Sequence, residues 1–125
     1  MAQLILAIDL MHRKNIIHRD IKPDNILLMS KSDLSICISD LGLACKTFDS
    51  KELYNKCGTP GYVAPEVLKG SPFTTKADIF SIGSFLFNMI TGNNLFPGKN
   101  GQEMLVANKY TNPHSTIQVH VKNVS

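Results

Sequence analysis

The sequence has few of the features that mark secreted, zinc-stabilised or membrane-spanning proteins. Only three of its 125 residues are cysteine, and none stands in a C-x-x-C spacing, so we expect reduced thiols and no structural zinc site. No apolar run approaches the roughly 18 residues that span a bilayer. Asp9 interrupts the apolar start of the chain, which argues against a secretory signal. We predict an intracellular protein, cytoplasmic or nuclear, with no membrane partner.

Neither sign of charge predominates in the sequence. The 13 basic and 10 acidic residues give a net charge of +3, too small to indicate a nucleic-acid partner. The hydrophobic fraction of 43% and the charged fraction of 18% are ordinary for a globular protein. A chain of this length predicts one domain with a modest core.

Side chains that could carry out catalysis or bind a ligand are concentrated in residues 18–25, H-R-D-I-K-P-D-N. The carboxylate of Asp20 could position a hydroxyl, the ammonium of Lys22 could neutralise an anion, and the amide oxygen of Asn25 could bind a hard cation. Pro23 fixes its own φ and disfavours a helical Lys22, which predicts a shaped loop. Taken singly, each residue could equally be a turn former or a surface charge.

Apolar periodicity predicts the helices. Residues 2–14 form a helix that is apolar on most faces, and a second such helix follows Thr75; both patterns predict burial on more than one side. Thr75 and Asp78 resemble a capping box that opens the second helix, and Gly92 suits its C-terminal stop. A short helix is expected over residues 101–109.

Two apolar runs predict a β-hairpin. Residues 26–29 follow the loop directly, and residues 34–39 alternate apolar and polar side chains, as in a strand with one buried face. The hairpin would bring Asp40 back towards Asn25. Residues 42–65 predict a long loop. The fold class is therefore mainly α with a small β-hairpin.

Four motifs occur in order along the chain: H-R-D-x-K-P-x-N, D-L-G, A-P-E, and D-x-x-S-x-G within an apolar helix. Together they resemble the eukaryotic protein kinases of the serine/threonine type. The resemblance covers about residues 2–109. It implies the C-terminal (large) lobe of the kinase fold, transfer of the ATP γ-phosphate to Ser and Thr hydroxyls of a protein substrate, and ATP and Mg²⁺ as cofactors. The string C-G-T-P-G-Y-V-A-P-E-V-L is most similar to the calmodulin-dependent kinases.

The resemblance also implies roles for single residues. Asp20 would orient the substrate hydroxyl, and Lys22 would contact the γ-phosphate. Asn25 and Asp40 would be the magnesium ligands. Thr59 would bond both Asp20 and Lys22, which together with Lys22 itself favours Ser/Thr over Tyr substrates.

Nucleotide binding is implied for an apolar set as well. Leu27 would form the floor of the adenine pocket, and Phe85 and Met89 would support it from below. His18 and Leu41 match buried positions of the spine that connects the two lobes, although Leu41 replaces the usual Phe of D-F-G.

The remaining implied roles are supporting ones. Asp78 would hold the backbone of the 18–25 loop, and Glu66 would pair with an arginine that the family carries further along the chain. Arg19 is normally the partner of a phosphorylated threonine in the activation loop, where this chain has Asn55. The resemblance leaves two possibilities open: one of Tyr54, Ser50 and Thr47 substitutes, or the loop is ordered without phosphorylation.

The 125 residues contain no G-x-G-x-x-G motif and no V-A-I-K-like lysine before the loop. We therefore expect half a kinase domain over residues 1–110, inactive alone, followed by an atypical tail, 111–125, that is disordered or artefactual. In the tail, alternation at 117–121 permits a short strand.

A catalytically dead lobe that acts as a binding or regulatory module remains the alternative. A small-molecule phosphotransferase is a third reading, against which Lys22, Thr59 and the A-P-E motif argue. The regulatory partner is unknown.

Overall fold

The computed structural model describes residues 1–30 and 32–121. Its first helix has apolar residues one helical turn apart. This helix, α1, spans Ala2–Arg13, as the periodicity predicts. Leu4 and Ile8 are each 1% exposed, whereas Leu6 and Leu10 on its other faces are 68% and 56% exposed. The expectation of burial on more than one side is wrong for α1, because only one stripe meets other elements.

The predicted hairpin is present. Its strands, β2 (Ile26–Leu28) and β3 (Ile36–Ile38), pair antiparallel. Beyond the hairpin, the N–H of Ser39 donates to the carbonyl of Asn25 at 2.9 Å. The end of β3 therefore lies beside the end of the 18–25 loop, as the sequence predicts.

A second strand pair was not predicted. β1 (Ile16–Ile17) pairs antiparallel with β4 (Cys45–Lys46). Two-residue strands are too short to show an alternation of apolar and polar residues, so the sequence predicts only a long loop over 42–65. That segment also contains a 3₁₀ turn at Glu52–Tyr54, and its loop ends at the short helix α2, Pro65–Leu68.

The long helix α3 spans Thr75–Thr91. Its N-cap is Thr74, whose hydroxyl oxygen accepts from the N–H of Lys76 at 3.2 Å. The expected capping box between Thr75 and Asp78 is therefore wrong. Gly92 follows the helix with φ 68°, which confirms the predicted stop. The other expectation, burial all round, is wrong for α3, because four apolar side chains on it are exposed: Ile79, Leu86, Met89 and Ile90.

Two helices complete the described chain, α4 (Gly101–Tyr110) and α5 (Pro113–Val121). The first matches the predicted helix over 101–109. The short strand that the sequence permits at 117–121 is not formed, because these residues belong to α5. Asn112 Oδ1 accepts from the N–H of His114 at 3.0 Å, and Pro113 occupies the first turn. Both features are favourable at a helix start. The end of the tail, 122–125, lies outside the described residues.

The 18–25 loop lies between two apolar clusters. Ile17, just before the loop, is fully buried in a cluster with Val63 and Phe73. Ile21, inside the loop, is fully buried in another cluster, with residues of α1, α3 and the hairpin. These two anchors fix the loop from both sides. Across the described residues the fold is mainly helical, and no helix is both long and apolar enough to cross a membrane.

Candidate active site

The backbone of the 18–25 loop is held by a carboxylate from α3. Asp78, fully buried, accepts the N–H of His18 and the N–H of Arg19, each at 2.9 Å. Arg19 has φ 69°, an unfavourable conformation for a residue with a side chain. The two hydrogen bonds to Asp78 compensate for this strain.

His12 was missed by sequence reasoning. Its Nε2 lies 2.8 Å from Asp78 Oδ2, and its side chain is only 14% exposed. The residue stands one helical turn after Ile8, on the buried stripe of α1, and that spacing is the signal that could have identified it. His12 gives Asp78 a third partner.

His18 connects the loop to the end of β3. Its ring is fully buried, Nδ1 lies 3.3 Å from the N–H of Asp20, and Nε2 lies 3.2 Å from the carbonyl of Ser39. The N–H group can only donate and the carbonyl can only accept, so these partners assign the ring proton to Nε2. The first residue of the 18–25 loop is thereby tied to the residue before Asp40.

Three side chains form a closed set at the loop. Thr59 Oγ1 donates to Asp20 Oδ1 at 2.6 Å, and Lys22 Nζ lies 2.9 Å from Thr59 Oγ1 and 3.0 Å from Asp20 Oδ2. Asp20 is only 7% exposed. Burial raises its pKa, but the hydrogen bond from Thr59 and the ammonium of Lys22 outweigh it, so the pKa lies below the ordinary value. The site therefore holds an ionised carboxylate beside a hydroxyl and a cation.

Asn25 is oriented by Asp20. Its Nδ2 donates to the carbonyl of Asp20 at 2.9 Å and to Asp20 Oδ2 at 3.2 Å, which leaves Oδ1 for another partner. Asp40 has φ 60°, and its Oδ1 accepts from Gly42 N at 3.2 Å. These oxygen donors are of the kind that Mg²⁺ prefers. Among the described residues, no group of three or more His, Cys, Asp or Glu side chains could hold a metal ion.

The expected apolar support is only partly present. Phe85 is 8% exposed and packs in the cluster around Ile21. Met89 is 58% exposed on α3, so its place beneath the adenine pocket stays a prediction. Leu41 is 60% exposed, and no element of the described chain packs over it, so its burial in a spine between two lobes stays a prediction. Leu27, on β2, is 47% exposed.

The segment that follows Thr59 is fixed by buried polar side chains. Asn108 of α4, 1% exposed, accepts from Gly61 N at 3.1 Å and donates to the carbonyl of Val63 at 2.8 Å. Ser84 of α3 donates to the carbonyl of Gly61 at 2.7 Å. Sequence reasoning missed both residues: Ser84 is a polar residue on the apolar helix α3, whereas Asn108 is one of several polar residues on α4 and has no such signal. They hold the turn that presents Thr59.

Arg19 has a carboxylate partner. Its Nη2 lies 2.9 Å from Glu52 Oε2, and the guanidinium lies over the ring of Phe73, 5.3 Å from its centroid. Glu66, in the first turn of α2, forms no ion pair within the part of the chain that the structure describes. Of the two supporting residues, only Arg19 has its charge matched here.

Comparison with known proteins identifies the family of the chain. The protein kinase domain family model matches residues 1–124. The chain is 40% identical to a probable serine/threonine-protein kinase 2 of Plasmodium falciparum over 109 residues, covering 86% of the chain and 21% of that protein. It is 44% identical to calcium-dependent protein kinase 5 of Plasmodium berghei over 106 residues, covering 84% of the chain and 19% of the relative.

A third relative is calcium/calmodulin-dependent protein kinase type 1 of Caenorhabditis briggsae, 44% identical over 91 residues, with 72% of the chain and 25% of the relative covered. The chain thus spans about a fifth to a quarter of the length of these three proteins. The family match and the relatives together establish that the chain belongs to the eukaryotic protein kinase family, of the serine/threonine type.

Proposed function

We propose that the chain carries the catalytic half of a serine/threonine protein kinase, which transfers the γ-phosphate of ATP to Ser and Thr hydroxyls of protein substrates in the cytoplasm or nucleus. The observation that carries the proposal is the closed arrangement of Asp20, Lys22 and Thr59. Asp20 and Lys22 both contact the hydroxyl of Thr59. A substrate hydroxyl needs the same two kinds of neighbour, a carboxylate that accepts its proton and a cation near its oxygen.

Asp20 acts by orientation. Phosphoryl transfer passes through a loose transition state with little bonding to the nucleophile, so alignment of the hydroxyl matters more than strong basicity. Ionised Asp20 accepts a hydrogen bond from the hydroxyl and points its oxygen at the phosphorus. Its lowered pKa keeps it an acceptor at neutral pH, although it makes Asp20 a weak base.

Lys22 and the oxygen donors deal with phosphate charge. The ammonium of Lys22, partly buried beside Asp20, contacts the transferring group as negative charge spreads over its oxygens. Asn25 Oδ1 and the Asp40 carboxylate would hold Mg²⁺, which would supply positive charge to neutralise the phosphate groups. Leu27 offers an exposed apolar side chain on β2 for the adenine ring.

We propose that these residues belong to the C-terminal lobe. Large apolar side chains are exposed on α1, on and beside the hairpin strands, and after Asp40, and exposed apolar surface of this kind fits a covering partner. The glycine-rich cover for the ATP phosphates would come from outside the 125 residues. The exposed apolar side chains are Leu6, Leu10, Leu27, Leu28, Met29, Leu34 and Leu41.

The same exposed surface supports a second candidate function. A kinase lobe without its cover could bind a partner protein and regulate it without catalysis. The two candidates differ in one respect: only the kinase requires Asp20 to be functional when the nucleotide-binding half is supplied.

A chimera tests the proposal. The chain replaces the matching segment of calcium-dependent protein kinase 5 of Plasmodium berghei, and transfer of labelled phosphate to Ser, Thr and Tyr peptides is measured with calcium and magnesium present. We expect transfer to Ser and Thr peptides that Asp20→Asn lowers at least about 100-fold. The control Asp9→Asn, which removes an exposed carboxylate on α1, leaves the rate within about twofold. Equal rates for the two variants favour the binding module.

A further inference from the structure

Arg19 is a buried cation, and each of its three guanidinium nitrogens donates a hydrogen bond. It is 6% exposed, and its Nε donates to the carbonyl of Leu43, its Nη1 to the carbonyl of Glu52, and its Nη2 to Glu52 Oε2. A buried charge without an opposite charge is strongly unfavourable. Among the described residues, Glu52 supplies the only carboxylate that pairs with Arg19, which makes this contact different from the exposed pair of Arg13 with Asp9.

The position of Glu52 matters because of Asn55. In many members of the family that this chain resembles, a threonine at the place of Asn55 carries the phosphate that pairs with the arginine matching Arg19, and an asparagine has no hydroxyl to phosphorylate. Here Asn55 Nδ2 donates to the same Glu52 Oε2 at 3.0 Å. The carboxylate of Glu52 thus lies between Arg19 and the place where the phosphorylated residue stands in other members.

Glu52 also lies where the segment is attached to the core. The next residue, Leu53, packs against the cluster that contains Ile17, and its carbonyl accepts the N–H of Phe73 at 2.7 Å. On the other side, Arg19 is bound through its backbone N–H to Asp78 of α3. A continuous series of contacts therefore runs from α3 through Arg19 to residues 52–55.

The same contacts reach Thr59. Gly58 lies so close to the loop that an added Cβ would stand 2.9 Å from the carbonyl oxygen of Arg19. Thr59 then donates to Asp20. The position of the segment that ends at Thr59 is thus coupled to the position of Arg19.

We propose that Glu52 is a positioning residue that replaces the activation-loop phosphate: it neutralises Arg19 and holds residues 44–59 ordered in the unmodified chain, with Thr59 against Asp20. The claim that Glu52 supports catalysis rests on the proposed function. The claim that Glu52 orders the segment rests on the Arg19 contacts alone. None of Thr47, Ser50 and Tyr54 then needs to be phosphorylated.

Amide hydrogen exchange of the 125-residue chain tests the structural part. The N–H groups of Leu53 and Asn55 are hydrogen-bonded within the segment. We expect Glu52→Gln to speed their exchange at least about tenfold while the hairpin amides change less than about twofold. Asp9→Asn, which also removes a carboxylate from an arginine, leaves the segment unchanged. Equal exchange in the two variants, or equal acceleration in segment and hairpin, overturns the proposal.

A rescue variant separates charge from packing. Glu52→Gln combined with Asn55→Asp places an anion at position 55, beside the lost carboxylate. We expect this double variant to restore at least half of the lost protection, measured as the logarithm of the amide exchange rate. No restoration contradicts the charge argument. The combined variant Thr47→Ala, Ser50→Ala, Tyr54→Phe retains the protection of the unmodified chain, whereas loss of protection there contradicts the proposal.

The catalytic part is tested in the chimera. We expect Glu52→Gln to lower kcat at least about tenfold with KM for ATP within about twofold, and Glu52→Asp to recover part of the loss. An unchanged kcat overturns the catalytic meaning of Glu52. A chimera without any transfer counts against the proposed function instead, and the exchange data then still decide whether Glu52 orders the segment.

Discussion

At the scale of single residues, the site depends on ionised or strained groups whose neighbours compensate for them. Asp20 is nearly buried, yet Thr59 and Lys22 keep it ionised. Arg19 has a positive φ and a buried charge, for which Asp78 and Glu52 compensate. Each of these side chains is therefore held in place by its neighbours.

The pH dependence of stability tests the environment of Asp20. Its pKa in the folded chain is lowered, so ionised Asp20 contributes stability fully above the unfolded pKa of about 4, and this contribution is lost as the pH falls through the folded pKa. We expect the difference in unfolding free energy between the wild type and Asp20→Asn to be constant from pH 5 to 7 and to shrink below pH 4. A difference that grows with acidity would mean a raised pKa.

The turn before Thr59 is a steric prediction at the same scale. Gly58 has φ 104°, and an added Cβ would also stand 2.9 Å from Val63 Cγ2. We expect Gly58→Ala to lower the unfolding free energy by about 3 kcal/mol. Gly70→Ala is the control, because Gly70 has φ 95° but open space around it, and about 1 kcal/mol is expected. Urea unfolding measures both; equal losses contradict the close contact.

At the scale of elements, α3 is the central support. Through Asp78 it holds the 18–25 loop, and through Ser84 it holds the turn after Thr59. Its helical pattern was visible in the sequence, but the pattern assigned Asp78 to a cap. Only the resemblance to kinases implied a contact with the loop, because a side chain's long-range partner is set by tertiary packing and not by local spacing.

The division of the chain at residue 110 stays a prediction, and α5 tests it. Ile117 packs against the cluster of Phe87, Leu95 and Phe96, while Val119 on the same helix is 62% exposed. We expect Ile117→Ala to cost about 1–2 kcal/mol of unfolding free energy and Val119→Ala less than about 0.5 kcal/mol. If the two cost the same, α5 is not packed on the domain and the tail is separable.

At the scale of the whole molecule, the sequence predicts the long periodic elements and misses the short ones. The hairpin and α1 follow from apolar spacing, whereas the pairing of Ile16–Ile17 with Cys45–Lys46 leaves no period to detect. For the candidate site, the motif residues were all identified, but His12, Glu52 and Asn108 were not. Their partners lie 66, 33 and 47 residues away, and no local pattern reports such contacts.

The exposed apolar side chains have the same origin. Periodicity predicted that α1 and α3 are buried on several faces, and Leu6 and Met89 are instead exposed. In the proposed kinase these faces meet further parts of the domain. The folded chain would then be a catalytic loop with its support complete and its nucleotide cover supplied from elsewhere.

The most direct test of this account measures transfer of labelled phosphate from MgATP to a Ser peptide by the purified 125-residue chain, with the chimera as the reference. We predict no transfer by the chain alone and transfer in the chimera that depends on Asp20. Magnesium-dependent turnover by the chain alone, abolished by Asp20→Asn, would contradict the claim that the chain is only half of the enzyme. A folded, ATP-binding chimera whose rate is unaffected by Asp20→Asn would contradict the assignment of the catalytic loop.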